Sequence, residues 1–229
     1  MNRRRFITNT LAAGAAVSIS STTANAGDSK PVKILGISCS PRKGKTTATA
    51  VKAALDAAKK VDSSIEVELI DLGGLEISGF SGGVKPAGSG ATTDDFDRIL
   101  PKLRDPNVGG WIIGSPVYFR SMSALCKAFL ERCAVLRKPR LLLADTAAGA
   151  LTVGAYRNGG QELVIEQIHS ILLCHEMMIV GGKPGAHQGA TLWNAYKDDI
   201  TKDEFGMDTA RKLGIRVAEA ALRLALRKS

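Results

Sequence analysis

Val32-Lys-Ile-Leu-Gly-Ile-Ser-Cys-Ser-Pro-Arg-Lys-Gly-Lys-Thr-Thr47 is the stretch that decides the fold. Val32 to Ser38 is an apolar run of strand length ending at a polar turn, and from about Thr46 to Lys60 the residues Ala48, Val51, Leu55 and Ala58 recur at helical spacing. A buried strand feeding a helix through a short turn is the repeating unit of a parallel sheet. The turn also carries chemistry. Hydroxyls, a guanidinium and ammonium groups are gathered where a helix N-terminus presents free N–H groups and the positive end of its dipole, and that combination binds phosphate. A Ser/Thr-capped turn that is basic by chance accounts for one hydroxyl, not for this concentration.

Downstream, strand-like runs and amphipathic segments keep alternating. Glu66 to Leu72 reads as a second strand. Asp94 to about Arg104 reads as a helix opened by two acids, with Pro101 expected to kink or shorten it. Gly110 to Ser115 is a third strand, and Ser121 to Leu136 a helix that turns Met122, Leu125, Phe129, Cys133 and Leu136 inward. Gly149 to Ala155 is a fourth strand, Gln161 to His175 a helix, and Met177 to Gly181 a fifth strand before the terminal helix. The expected architecture is therefore α/β and doubly wound, a five-stranded parallel sheet with helices on both faces. Its ligand belongs at the carboxyl ends of the strands, on the loops after strands one, three and four.

Length and composition agree with one domain. The chain has 229 residues, 45% of them hydrophobic, which is enough for a sizeable core and excludes disorder and a small disulfide scaffold. No run is long and apolar enough to span a bilayer. The formal charge of +9 is the odd feature. Part of it is an address. Asn2-Arg-Arg-Arg-Phe-Ile-Thr8, a weakly hydrophobic stretch from Leu11 to Ile19 and the Ala24-Asn-Ala26 cleavage pattern form an export signal over residues 1–26, and Arg3-Arg4 with Phe6 fits the twin-arginine type. The expectation is a periplasmic or otherwise exported protein whose domain spans 27–229. An organelle transit peptide is the alternative reading of the same residues.

Setting the signal aside leaves 28 basic against 22 acidic residues, a charge of +6. Much of the excess falls on the last helix, where Lys212, Arg216, Arg223 and Arg227 oppose Leu213, Val217, Ala221 and Leu224. That pattern describes a solvated helix face. With 5% aromatic residues and no zinc, RNA-recognition or basic-helix pattern, no nucleic-acid partner is expected.

Two phosphate readings compete at the first loop. Gly44-Lys45-Thr46 matches the end of the G-x-x-x-x-G-K-[ST] pattern, and Leu141 to Asp145 suits the accompanying acidic strand, which would make a nucleotide hydrolase. Cys39, however, occupies the place of the first glycine and removes the freedom that lets such a loop wrap phosphates.

Taken together, three loops fit another family. Gly36 to Thr47 resembles the phosphate loop of the NADPH-dependent FMN reductase and iron-sulfur flavoprotein group of flavodoxin-like proteins. Gly114-Ser-Pro-Val-Tyr-Phe-Arg-Ser-Met-Ser-Ala-Leu-Cys-Lys-Ala-Phe-Leu-Glu-Arg132 resembles its second flavin loop and helix, and Gly154-Ala-Tyr-Arg-Asn-Gly-Gly-Gln-Glu162 its third loop. The resemblance runs from about Lys33 to the C-terminal helix. It implies a flavodoxin-like domain in which Ser40, Arg42, Lys45, Thr46 and Thr47 take the FMN phosphate. Pro116, Val117, Tyr118 and Phe119 would then lie against the isoalloxazine, with Tyr156, Arg157, Gly159 and Gly160 closing over its other side. It further implies an NAD(P)H-dependent oxidoreductase acting on a quinone, flavin or similar acceptor, as a homodimer or homotetramer. The alternative is an exported electron-transfer flavoprotein without NAD(P)H activity. No residue need act as nucleophile or base, since the flavin itself is redox-active.

This chain departs from the group in two ways. Lys45 and Thr46 stand where small residues or Asn are commoner. In the iron-sulfur members the region corresponding to 79–93 carries a compact cysteine motif, whereas here it holds no cysteine, so no iron-sulfur cluster is expected. The four cysteines, Cys39, Cys126, Cys133 and Cys174, show no C-x-x-C spacing, and on one helix Cys126 and Cys133 would lie about 10 Å apart along its axis. Cys133 and Cys174 are expected to be buried packing residues. His169, His175 and His187 share no metal spacing.

Overall fold

A computed structural model describes residues 31–82, 94–195 and 197–226. The signal at 1–26, most of the cysteine-free 79–93 segment and Arg227 lie outside them. The strands are β1 (Val32–Ser38), β2 (Ile65–Asp71), β3 (Val108–Tyr118), β4 (Ser121–Met122), β5 (Ala147–Gly154), β6 (Met178–Ile179) and β7 (Ala190–Trp193). The helices are α1 (Thr46–Ala58), α2 (Phe96–Leu103), α3 (Ala124–Arg132), α4 (Gln161–Leu173) and α5 (Glu204–Ala225).

The main sheet runs β2-β1-β3-β5-β6, all parallel, and β1 lies between its two earliest neighbours, with Ser38 opposite both Asp71 and Gly114. The switch in strand order therefore falls at β1 and β3, where a parallel sheet opens a ligand crevice. Its inner strands β1, β3 and β5 are buried almost throughout because both faces are covered. One face is packed by α1 and α5, through Val51, Leu55, Leu213 and Val217 among others. The other is packed by α2, α3 and α4 around Trp111, Phe96 and Phe129. Phe129 lies 6.2 Å, centroid to centroid, from each of the other two rings.

Helix α1 is seated without clearance. A Cβ on Gly36 would stand 2.6 Å, and one on Gly114 2.4 Å, from the methyls of Val51, and a Cβ on Gly214 of α5 would stand 1.9 Å from the Ala54 carbonyl. Glycine at these three places lets the helix lie flush between sheet and α5. Among the described residues no helix is long and apolar enough to cross a membrane.

Several expectations need correcting. The helix expected from Ser121 to Leu136 is three pieces. Ser121 and Met122 fold back as β4 against Val117 and Tyr118, α3 starts only after Ser123, whose hydroxyl caps Cys126 N–H, and Cys133–Arg137 tighten into a 3-10 turn. Cys126 and Cys133 thus do not share one α-helix. Cys174 is exposed at the end of α4, not buried. Leu141 to Asp145 forms turns, and β5 begins only at Ala147, so the acidic strand of the nucleotide-hydrolase reading is absent there. The fifth strand is split. Met178–Ile179 pair with Ala147–Ala148, the chain loops out, and Ala190–Trp193 return to pair with Leu151–Gly154.

Candidate functional site

The expected phosphate loop lies between the end of β1 and α1. Ser40, Thr46 and Thr47 are buried, while Arg42 and Lys45 are exposed at its rim. Ser40 Oγ accepts from Arg42 N–H at 3.2 Å, which folds the loop back on itself. Lys45 occupies the cap position of α1 and supplies no side-chain acceptor, so the first N–H groups of a 13-residue helix are left without a cap. Thr47 Oγ1, in that first turn, is buried with no hydrogen-bond partner, as is Ser38 Oγ at the end of β1. A buried hydroxyl normally finds a partner. These unpaired donors and acceptors at the positive end of a helix fit a phosphate ester.

Two residues that sequence reasoning missed hold this loop in shape. Asp71, at the end of β2, accepts from Gly44 N–H at 2.7 Å and from Gly73 N–H at 3.2 Å. Asp198 accepts from Arg42 Nη1 through both carboxylate oxygens, at 3.0 and 2.8 Å. The amide of Asn194, foremost, and then the Arg42 guanidinium hold the Asp198 carboxyl below the usual carboxylate range, so it is ionised at neutral pH.

The second loop is joined to the first through Ser123. Its hydroxyl donates to the Cys39 carbonyl at 2.7 Å and accepts from Cys126 N–H, while Ser123 N–H donates to Ser115 Oγ. Beyond this anchor, β3 and β4 form a hairpin whose two tip residues, Phe119 and Arg120, have φ of 49° and 62°. Left-handed backbone at two consecutive non-glycine residues is costly and persists at places where a side chain is being presented. Here Pro116 is buried, Val117 half-buried, Tyr118 exposed and Phe119 fully exposed.

The third loop is shaped by Gln161, the first residue of α4. Its Oε1 accepts from Gly159 N–H at 2.9 Å and its Nε2 donates to the Tyr156 carbonyl at 2.6 Å. Gly160, at φ 105°, sits against the Arg120 backbone, where a Cβ would approach Arg120 Cα to 3.2 Å. The second and third loops therefore touch. Between them lies a cleft of about 450 Å³ lined by Arg120, Arg157, Gly160, Gln161, Glu166 and Thr191. Tyr156 is exposed, and Arg157 lies over the Trp193 ring, 4.2 Å from its centroid.

All thirteen expected site residues thus fall at one end of the sheet, on the first loop and first turn of α1, on the end of β3 with its hairpin tip, and on the loop after β5. Cys39 is fully buried beneath the first loop. Burial, followed by the neighbouring Cys126 and Cys133, pushes its pKa far above the ordinary thiol value. Among the described residues no group of three or more His, Cys, Asp or Glu is placed to hold a metal ion.

Comparison with known proteins follows the same outline. The family model for NADPH-dependent FMN reductase matches residues 32–191. An iron-sulfur flavoprotein of Methanocaldococcus jannaschii is 41% identical over 191 residues, covering 82% of this chain and 96% of its own. A second, from Methanosarcina thermophila, is 34% identical and covers 80% and 93%. The solved structure of RosB with a bound riboflavin-phosphate intermediate superposes with a TM-score of 0.68 over 86% of this chain and 81% of that one, at 16% identity, and so shares the fold.

Proposed function

Because the chain belongs to the NADPH-dependent FMN reductase family, we propose that it oxidises NAD(P)H and passes the two electrons to a small acceptor, a quinone or flavin, through FMN held at the three loops. The uncapped start of α1 with the unpartnered Thr47 hydroxyl carries this reading. FMN supplies the redox chemistry when bound, taking up a hydride equivalent and releasing two electrons. The chain's own work is to bind and orient. Ser40, Thr46, Thr47 and the free N–H groups of α1 would hold the phosphate, with Arg42 and Lys45 adding charge. Pro116 to Phe119 would offer an apolar wall to one face of the ring, and Tyr156, Arg157, Gly159 and Gly160 would cover the other.

The same site favours electron transfer without a cluster. The four cysteines are split between three buried core positions and exposed Cys174 at the far end of α4, so they do not make the four-thiolate set that a cubane cluster needs. We place the protein outside the cytoplasm on the strength of residues 1–26, and that placement favours a second reading. Nicotinamide donors belong to the cytoplasm, so an exported form would draw electrons from a quinol or a redox protein and act as an electron carrier. An assembly of two or four copies is expected from the family resemblance.

Stopped-flow mixing of the FMN-loaded protein with NADPH and with NADH tests the choice. Rapid loss of the yellow absorbance supports the reductase. No bleaching by either nucleotide, with reduction by a quinol, would overturn it in favour of the carrier.

A further inference from the structure

We infer that Asp198 is a positioning residue that orients Arg42 for the flavin phosphate. The inference rests on the assignment of Arg42 to that phosphate. Both Asp198 oxygens engage the same guanidinium nitrogen, Nη1. The Nε and Nη2 edge, which forms the two-pronged fork that matches a phosphate, has no hydrogen-bond partner among the described residues. Carboxylate and phosphate therefore do not compete for one edge of the guanidinium.

Asp198 is itself held in place. Asn194 Nδ2 donates to Asp198 Oδ1 at 2.9 Å, and Asn194 N–H donates to the Gly154 carbonyl at the end of β5 at 2.8 Å. A continuous relay thus runs from the sheet at the third loop to the guanidinium at the first. Lys197 and Asp198 both adopt left-handed backbone, with φ of 49° and 66°, the kind of local cost that persists where the surroundings fix a side chain's direction. Asn194 Oδ1, on the same side chain, is buried without a hydrogen-bond partner among the described residues. An arginine with four rotatable torsions at an exposed rim would otherwise have to be ordered by the ligand. Opposing this, the carboxylate repels a phosphate dianion. At this solvated rim that repulsion is screened, and the ordering of Arg42 outweighs it.

The test uses flavin-free protein titrated with FMN and with riboflavin, which lacks the phosphate, followed by flavin fluorescence. Asp198→Ala should weaken FMN binding about 3- to 10-fold, the range expected for ordering one rotamer-rich side chain, and leave riboflavin unchanged. Asp198→Asn keeps an acceptor oxygen and tolerates the left-handed backbone, so it should restore FMN affinity to within about 2-fold. In an Arg42→Ala background, Asp198→Ala should have no further effect. Unchanged or tighter FMN binding by Asp198→Ala, alongside weakened binding by Arg42→Ala, overturns the positioning role and leaves the phosphate site standing. Equal weakening for FMN and riboflavin overturns it as well, since it marks a merely structural residue. If Arg42→Ala itself leaves FMN affinity unchanged, the phosphate lies elsewhere, and both readings fall.

Discussion

Gly73 and Lys43 pack backbone against backbone: a Cβ on Gly73 would lie 2.4 Å from Lys43 Cα and 2.5 Å from its nitrogen. The turn after β2 is therefore the floor of the phosphate loop, with Asp71 bonded to Gly44 N–H beside it. Gly73→Ala has no flexible neighbour to displace, so it must push the loop itself. We expect a stability loss of about 1–3 kcal/mol in a denaturant titration, together with lost flavin on gel filtration. Retention of both would show that the loop has slack.

Thr47→Val separates binding from folding. The change keeps the side chain's shape and removes a buried oxygen that has no protein partner. Flavin-free protein should melt at the same temperature or higher, whereas FMN affinity should fall by about 1.5–3 kcal/mol, the worth of a hydrogen bond to a charged group. Loss of stability in the flavin-free protein would mean that the hydroxyl serves the fold instead.

The tip of the β3–β4 hairpin offers the opposite trade. Asn followed by Gly suits two consecutive left-handed positions far better than Phe119 and Arg120 do. Replacing the pair by Phe119→Asn with Arg120→Gly should raise stability by roughly 1–3 kcal/mol and reduce turnover, because an exposed aromatic side chain is lost beside the proposed ring site. A variant that is stabilised and fully active would remove Phe119 from the mechanism.

Two histidines, half-buried His169 and buried His175, give the protein a pH dependence. Burial holds the His169 imidazole below its ordinary 6.5, and burial followed by the Arg137 charge does the same to His175. Both are stable in the neutral form, so the unfolded chain binds protons more readily. Their contribution is fully present above pH 6.5 and is lost as pH falls towards the depressed folded values. Melting temperature should therefore decline from pH 7 to pH 5, and the decline should flatten in a His169→Gln, His175→Gln variant.

The proposed export route has its own test. Arg3→Lys with Arg4→Lys keeps the charge of the leader and abolishes the twin-arginine pair. Cell fractionation should then find the precursor in the cytoplasm. Continued export would point to another pathway.

The β1–loop–α1 unit was legible because its information is local: an apolar run, a polar turn and a helical stripe follow one another within 32–60. The three loops were legible for the same reason. Elements defined by distant partners were not. Ala190-Thr-Leu-Trp193 is too short to announce a strand, and only pairing with Leu151–Gly154 makes it one. The Phe119–Arg120 turn carries none of the Gly or Asn that usually marks a tight hairpin, so the helix expected from Ser121 takes in the two residues that return as β4. Asp71 and Asp198 are ordinary acids in sequence, and Asp198 gains its role from an arginine 156 positions away. Ser123, by contrast, left a readable signal as a serine just ahead of a helical stripe.

The three glycines that press α1 between the sheet and α5 have a kinetic consequence. A helix pinned at Val51 and Ala54 cannot slide or roll when a ligand arrives, so its N-terminus is set when the domain folds and does not recoil afterwards. Incoming flavin meets one finished half of its berth. The pace of its capture and escape then falls to the segments on the other side, the 155–160 loop and the residues around Asn194 and Asp198, and it is there that amide exchange should respond to loading while α1 stays silent.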